Sequence, residues 1–385
     1  MAKQYVTIQS DERPPANAAD ALVSVILPIY NAEAFLDQAL RSIREQTHRN
    51  LEIICVNDGS TDGSLGIMRE HAAEDDRVRV INKKNEGYGA SCNRGLDEAH
   101  GEWIAVVEPD DWIEPGMYAD MLEFASGYLQ RIDIVKTPYW RVLNPDTRWE
   151  QRLNCPFKKR IRQSKRPFRI EECPELLRHH PCIWSAIYRR SFLEKKGIRF
   201  QPIPGAGWAD NPFLIETLCQ AKAIVYLDQA YYCYREETRE KTADFHVKQW
   251  RVPFERWNDM QDVLDRLGVT DKGVLSAHVK RGFMYMGGVL EYNKVEDDPE
   301  IDEAVRAMFE RMDPEIVFAE PDVEPGQKRL FAEVRGIDCP DLNEPGYRMH
   351  VMRLGLYALR NVGVKQSTLA ASHYLGTKRR RAAGR

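Results

Sequence analysis

The chain has 385 residues, of which 43% are hydrophobic and 30% charged, with a formal net charge of -4. A chain of this length buries a sizeable core without staples, and divides into two or three domains or one large α/β domain with an appendage. The balance excludes a disordered acidic chain and argues against a general nucleic-acid binder, whose domains are strongly basic.

None of the 8 cysteines forms a CxxC pair. A zinc ribbon or thioredoxin motif is therefore not indicated, and a reducing compartment is expected. The first residues lack the apolar core of a signal peptide, and no run of ~18 apolar residues could span a bilayer. The expectation is a cytoplasmic protein, with peripheral contact at the inner face of the cell membrane as an alternative.

Residues 1–21, which include Asp11-Glu12-Arg13-Pro14-Pro15, read as a flexible leader. Val23-Ser24-Val25-Ile26-Leu27 predicts a strand stopped by Pro28. Phe35, Ala39, Leu40 and Ile43 share one helix face over 34–46. Strands follow at Ile53–Val56 and Val78–Ile81, with helices over 64–73 and 90–99. A fourth strand, Trp103–Val107, ends at Glu108-Pro109-Asp110-Asp111. Helices alternating with continuously apolar strands predict a parallel sheet covered on both faces. Ligands of such sheets sit beyond the carboxyl ends of the strands. The segments after the strands therefore share one rim: Pro28-Ile29-Tyr30-Asn31, Asn57-Asp58-Gly59-Ser60, Asn85-Glu86-Gly87 and the acidic tetrapeptide.

Residues 144–169 are basic and irregular, and read as an insertion or flexible surface. Order is expected again at Ile183–Tyr188, in helices from Ser191 and over 211–219, and in strands at Ala223–Leu227 and Tyr231–Tyr234. From about residue 241 the chain is expected to be helical, ending in Lys378-Arg379-Arg380-Arg381.

Crowded carboxylates at the end of a buried strand repel one another unless a cation joins them. Carboxylate oxygens suit Mg²⁺ or Mn²⁺, which complete their shells with substrate phosphates. Glu108-Pro109-Asp110-Asp111 thus reads as a metal site for a nucleotide diphosphate, or as a solvated turn capping the next helix. Asp58 can accept from a base N–H or a ribose hydroxyl, and its surroundings equally suit a turn with a helix cap. Asn85 to Gly95 is a Gly-containing loop opening a helix, whose amides attract phosphate. Gly95, inside that helix, predicts a close packing contact.

In order and spacing, these segments between residues 23 and 125 resemble the family 2 glycosyltransferases of bacterial polysaccharide biosynthesis. The resemblance implies a GT-A-type, mostly parallel sheet flanked by helices over residues 22–240, with a C-terminal helical region and basic tail over 241–385. It implies a hexosyltransferase that uses a nucleotide-sugar donor, UDP-linked by expectation, and a divalent metal, with inversion at the anomeric carbon. The acceptor would be a hydroxyl of a saccharide or lipid-linked molecule. By the same resemblance Pro28, Tyr30 and Asn31 wall the base and ribose, Asp58 contacts uracil, and Asn85 and Gly87 line the donor. Glu108 and Asp110 stand at the first and third positions of the metal motif, with Asp111 behind. Glu in the first position lengthens the arm, so Asp110 is the expected metal ligand.

Downstream, Gly207-Trp208-Ala209-Asp210-Asn211 resembles the family's Glu-Asp pair with Ala209 in place of Glu. Inverting transfer needs a base for the acceptor proton, and Asp210 is the candidate. It would equally cap the helix that follows. Tyr231-Tyr232-Cys233-Tyr234-Arg235, followed by Arg239, Lys241 and Thr242, resembles the family's tyrosine strand and loop. A nucleotidyltransferase would place a Gly-rich basic loop after the first strand, where this chain has Pro28-Ile29-Tyr30-Asn31. A non-catalytic module that binds nucleotide or saccharide is the other alternative. The apolar segment around Val351 to Leu359 is expected to pack on its own domain, with contact to anionic membrane as the alternative.

Overall fold

The computed structural model describes residues 18–205, 207–236, 245, 247–293 and 298–362. Nearly all of the expected leader, the terminal basic cluster, and Arg239, Lys241 and Thr242 lie outside the described residues.

The first half alternates as its apolar pattern requires: β1 (Val23–Ile29), α1 (Leu36–Arg44), β2 (Leu51–Asp58), α2 (Ser64–Glu74), β3 (Val78–Lys83), α3 (Tyr88–Glu98) and β4 (Trp103–Val106). β2 and β4 flank β1, β3 lies outside β2, and all these pairings are parallel. α1 turns Leu36, Ala39, Leu40 and Ile43 inward, the stripe that its spacing predicts. β1 does not stop at Pro28 but runs on to Ile29, with Pro28 opposite Val56. Pairing with β4 ends at Ile26, so beyond it β1 has a neighbour on one side only. Proline, which lacks a donor, is tolerated there.

β5 (Trp112–Ile113), α4 (Met117–Ser126), β6 (Ile134–Lys136), β7 (Tyr139–Leu143) and β8 (Gln151–Asn154) come next. β9 (Ala186–Arg189), α5 (Arg190–Lys196), α6 (Asp210–Gln220), β10 (Ile224–Tyr226) and β11 (Tyr232–Arg235) follow. The main sheet has seven strands in the order β10-β6-β9-β4-β1-β2-β3, and a smaller sheet runs β5-β11-β7-β8. Only β9 is antiparallel to its neighbours in the main sheet, so the sheet is mostly parallel rather than wholly so. The region expected to be a loose insertion is partly built in. β8 pairs with β7, and Phe157 and Ile161 are buried.

After β11 the described elements are helical: α7 (Arg251–Leu267), α8 (Lys272–Tyr292), α9 (Pro299–Glu310), α10 (Pro314–Ala319), α11 (Pro325–Arg335) and α12 (Glu344–Val362). The buried Trp257 of α7 stacks on His278 of α8 at 4.4 Å and donates to its carbonyl at 3.0 Å. Arg178, in the segment before β9, pairs with buried Glu320 and with Asp322, clasping these helices to the sheet domain. Among the described residues no helix is long and apolar enough to cross a membrane.

Candidate active site

The parallel strands deliver their carboxyl ends to one rim, and the loops there are stitched together. Asn31 adopts φ 50, and its Oδ1 accepts from the Thr61 amide at 2.8 Å. Its own amide donates to Ser60 Oγ at 3.1 Å. Tyr30, beside it, is 51% exposed, whereas Pro28 is buried inside β1. Asp58, at the end of β2, accepts from the Glu86 and Gly87 amides at 2.9 Å each and from Lys83 Nζ. Oδ1 takes the Glu86 and Lys83 bonds, and Oδ2 takes the Gly87 amide. A carboxylate oxygen has two lone pairs, so the Asp58 group retains capacity for one further donor.

Asn85 is exposed above this loop, and a Cβ on Gly59 would come within 2.9 Å of its amide nitrogen. Gly87 holds φ 94, and a Cβ there would meet the Ile203 carbonyl at 2.4 Å. The Tyr88 amide donates to the Gly205 carbonyl at 2.9 Å. Asp58 and the 203–205 loop thus answer the amides of residues 86–88, leading into the first turn of α3.

The β4 end gathers acids. Glu108 Oε1 accepts from Tyr88 Oη at 2.6 Å. Burial pushes the Glu108 carboxyl up to about 8, and the nearby charges of Asp110 and Asp210 add to the rise. Asp110 is half-buried, and its carbonyl accepts from Arg235 Nε at 2.8 Å. Asp111 is buried. Its Oδ2 accepts from Tyr232 Oη at 2.8 Å and its Oδ1 from the Arg235 amide at 2.7 Å. The Tyr232 hydroxyl in turn accepts from the Glu108 amide at 3.1 Å. With one internal bond on each oxygen, the buried Asp111 ties the β4–β5 turn to β11.

Asp210 opens α6, and no side-chain capping bond closes that helix. Its carboxyl is raised to about 6 by burial, against the pull of the Arg281 charge and of Asn211. Asn211 Nδ2 donates to Asp210 Oδ1 at 3.2 Å, while Asn211 Oδ1 accepts from Tyr285 Oη at 2.6 Å and from Arg281 Nη1 at 3.2 Å. The buried Arg281 also donates to the Leu177 and His179 carbonyls at 2.6 Å each. Arg281 and Tyr285 sit on α8 and escape sequence reasoning, because nothing in a helical pattern says which strand end the helix will face. Tyr88 lies inside a motif that the sequence does single out, and its role appears only with Glu108 beside it.

An aromatic wall adjoins these acids. Trp184 stacks on Tyr232 at 3.9 Å and on Tyr234 at 5.4 Å, and Tyr139 meets its edge at 4.8 Å. Among the described residues no cluster of three or more His, Cys, Asp or Glu side chains forms an all-protein metal cage. The hard oxygen donors and the mutual repulsion that raises Glu108 nevertheless fit a divalent cation. Such an ion would take the rest of its shell from a diphosphate.

Residues 24–196 match the family model described as glycosyl transferase family 2. The uncharacterized glycosyltransferase EpsJ of Bacillus subtilis is 31% identical over 228 residues, covering 57% of this chain and 63% of that protein. The putative glycosyltransferase EpsH of the same organism is 33% identical over 215 residues, covering 55% and 60%. The chain thus spans less than two thirds of either relative. The crystal structure of S. aureus TarS 1-349 in complex with UDP-GlcNAc matches with a TM-score of 0.63 and 21% identity, covering 85% of this chain and 92% of that one. That likeness is one of fold.

Proposed function

We propose that this chain, which belongs to glycosyl transferase family 2, moves a sugar from a nucleotide-diphosphate donor to a hydroxyl of a saccharide or lipid-linked acceptor. The observation that carries the reading is the meeting of two remote segments. Asp210, at the start of α6, lies close enough to Glu108, at the end of β4, for its charge to raise the Glu108 carboxyl. One acid at the metal motif and one at the candidate base position are therefore brought near each other.

In this reading the rim from Tyr30 to Asn31 and the remaining acceptor capacity of Asp58 receive the nucleoside. Uracil is the proposed base; TarS, which shares the fold, is described in complex with UDP-GlcNAc. Asp110 would hold a Mn²⁺ or Mg²⁺ ion, which when bound supplies Lewis-acid stabilisation of charge on the leaving diphosphate. Asp210 takes the proton of the acceptor hydroxyl as its oxygen forms a bond to the anomeric carbon. The bond from that carbon to the diphosphate breaks on the opposite face, and the configuration inverts. A base raised to about 6 is ionised at neutral pH and still basic enough for the task. Arg281 and Asn211 hold Asp210 in place.

A thermal-shift screen of nucleotides and sugar nucleotides, with and without Mn²⁺, tests this reading. A ligand at 100 times its Kd stabilises a protein by about 2.7 kcal/mol. A uridine nucleotide is expected to raise the melting temperature, and more so with the metal. No shift from any sugar nucleotide under either condition would remove the proposal.

A further inference from the structure

Helix α12 has two unlike faces. One is moored to the body of the protein. His350 Nε2 pairs with Asp322 Oδ1 at 2.5 Å, the Arg160 guanidinium lies 4.2 Å over the Tyr357 ring, and Asn154 Nδ2 donates to the Asn361 carbonyl at 3.0 Å. The other face carries Met349, Met352, Leu356 and Leu359, which are 49, 59, 55 and 39% exposed. Steps of three, four and three residues set them in a single stripe along the helix. The other exposed large apolar residues among those described, such as Tyr30, Leu129 and Trp149, are dispersed along the chain. A contiguous row of this kind marks an interaction surface.

The charge beside the stripe says what it meets. At helical spacing Arg348 borders one side of the row, and Arg353 and Arg360 border the other. From Pro345 to the last residue the sequence contains 9 Lys and Arg and no Asp or Glu, while the whole chain carries a net charge of -4. Two copies meeting through this stripe would bring like charges together. An anionic surface would instead match both the apolar row and its basic borders.

We propose that the α12 stripe is an interfacial anchor that lays the protein on a bilayer rich in anionic lipid. Met349, Met352, Leu356 and Leu359 enter the headgroup boundary, and the arginines stay at the phosphates. α12 is fastened to β8 of the smaller sheet, and β11 of that sheet holds Asp111 through Tyr232 and Arg235. The anchor does not rest on the glycosyltransferase reading.

The test uses the full chain and vesicles of phosphatidylcholine with or without phosphatidylglycerol. Co-sedimentation is expected with the anionic vesicles at low salt and is expected to weaken at least about tenfold with high salt or neutral lipid. The variant Met352→Ser/Leu356→Ser should lose at least about tenfold in vesicle affinity while keeping its melting temperature and its response to UDP. No sedimentation with anionic vesicles at low salt would overturn the proposal. So would unchanged binding of the serine variant, since other basic segments would then suffice. Self-association of the parent chain that the serine variant abolishes would overturn it in favour of a second copy. A UDP response that fails while vesicle binding persists would count against the proposed function and leave the anchor standing.

Discussion

Tyr88 donates its phenol to Glu108 Oε1 at 2.6 Å, joining the first residue of α3 to the acid that follows β4. The bond favours the ionised carboxyl, which burial otherwise opposes. Tyr88→Phe keeps the ring against Phe200, at 6.0 Å and edge-on, and removes only the donor. Loss of a buried hydrogen bond to this carboxyl costs about 1–3 kcal/mol. The variant should melt several degrees lower and show a weaker Mn²⁺ dependence of turnover. An unchanged melting temperature and metal response would remove Tyr88 from the site.

The contact between α3 and β1 makes a second prediction. A Cβ on Gly95 would stand 2.3 Å from Ile26 Cγ2, a separation that real atoms do not tolerate. Gly95→Ala should destabilise by about 1–3 kcal/mol, the range for overpacking. Adding Ile26→Ala should recover part of that loss, because the two residues share one space. Additive losses in denaturant unfolding would contradict the contact.

Asp210 ties stability to pH with a definite sign. Its carboxyl is raised from 3.8 to about 6 in the folded protein. The stability contributed by its protonated form is full below about pH 4 and is lost as pH rises through about 6. Asp210→Asn lacks that loss, so it should be more stable than the parent chain at pH 8, by at most about 3 kcal/mol. The gap should close by pH 4. Parent turnover should fall as pH drops through about 6, since the base must be ionised. Melting curves of both proteins across this range check the first claim, and a pH–rate profile checks the second.

Arg281 is a positioning residue in this account. Its charge lowers the Asp210 carboxyl, and its fork holds the Leu177 and His179 carbonyls. Arg281→Gln should shift the acid limb of the rate profile to higher pH. Arg281→Lys should leave the limb near its original place, because the charge remains. Both should lower stability by about 2–4 kcal/mol, since buried carbonyls lose donors. Identical pH profiles in all three proteins would reduce Arg281 to a structural prop.

The sequence announces β1 to β4 because their apolar runs are long and punctuated by turn residues. β5 and β6 are too short to show a period, and β8, Gln151-Arg152-Leu153-Asn154, is a polar edge strand without an apolar face. The rim segments can be recognised by order and spacing. Their internal hydrogen bonding cannot, because Asp111 meets Tyr232 across a fold that no local pattern encodes. The same holds for the α3 amides. No local pattern says that Asp58 answers the Gly87 amide or that Gly205 answers that of Tyr88. Arg281 is the extreme case, an arginine in a helix that reaches back to Asn211, Leu177 and His179 on earlier segments.

The most direct test of the account is the rate of UDP release from a UDP-sugar with Mn²⁺ at pH 8, with water or a saccharide as acceptor. The parent chain and Asp210→Asn are to be compared at matched UDP occupancy. The account predicts a fall of about 10²- to 10⁴-fold, the range for loss of a general base, with UDP affinity unchanged. A rate within a few-fold of the parent chain would contradict it.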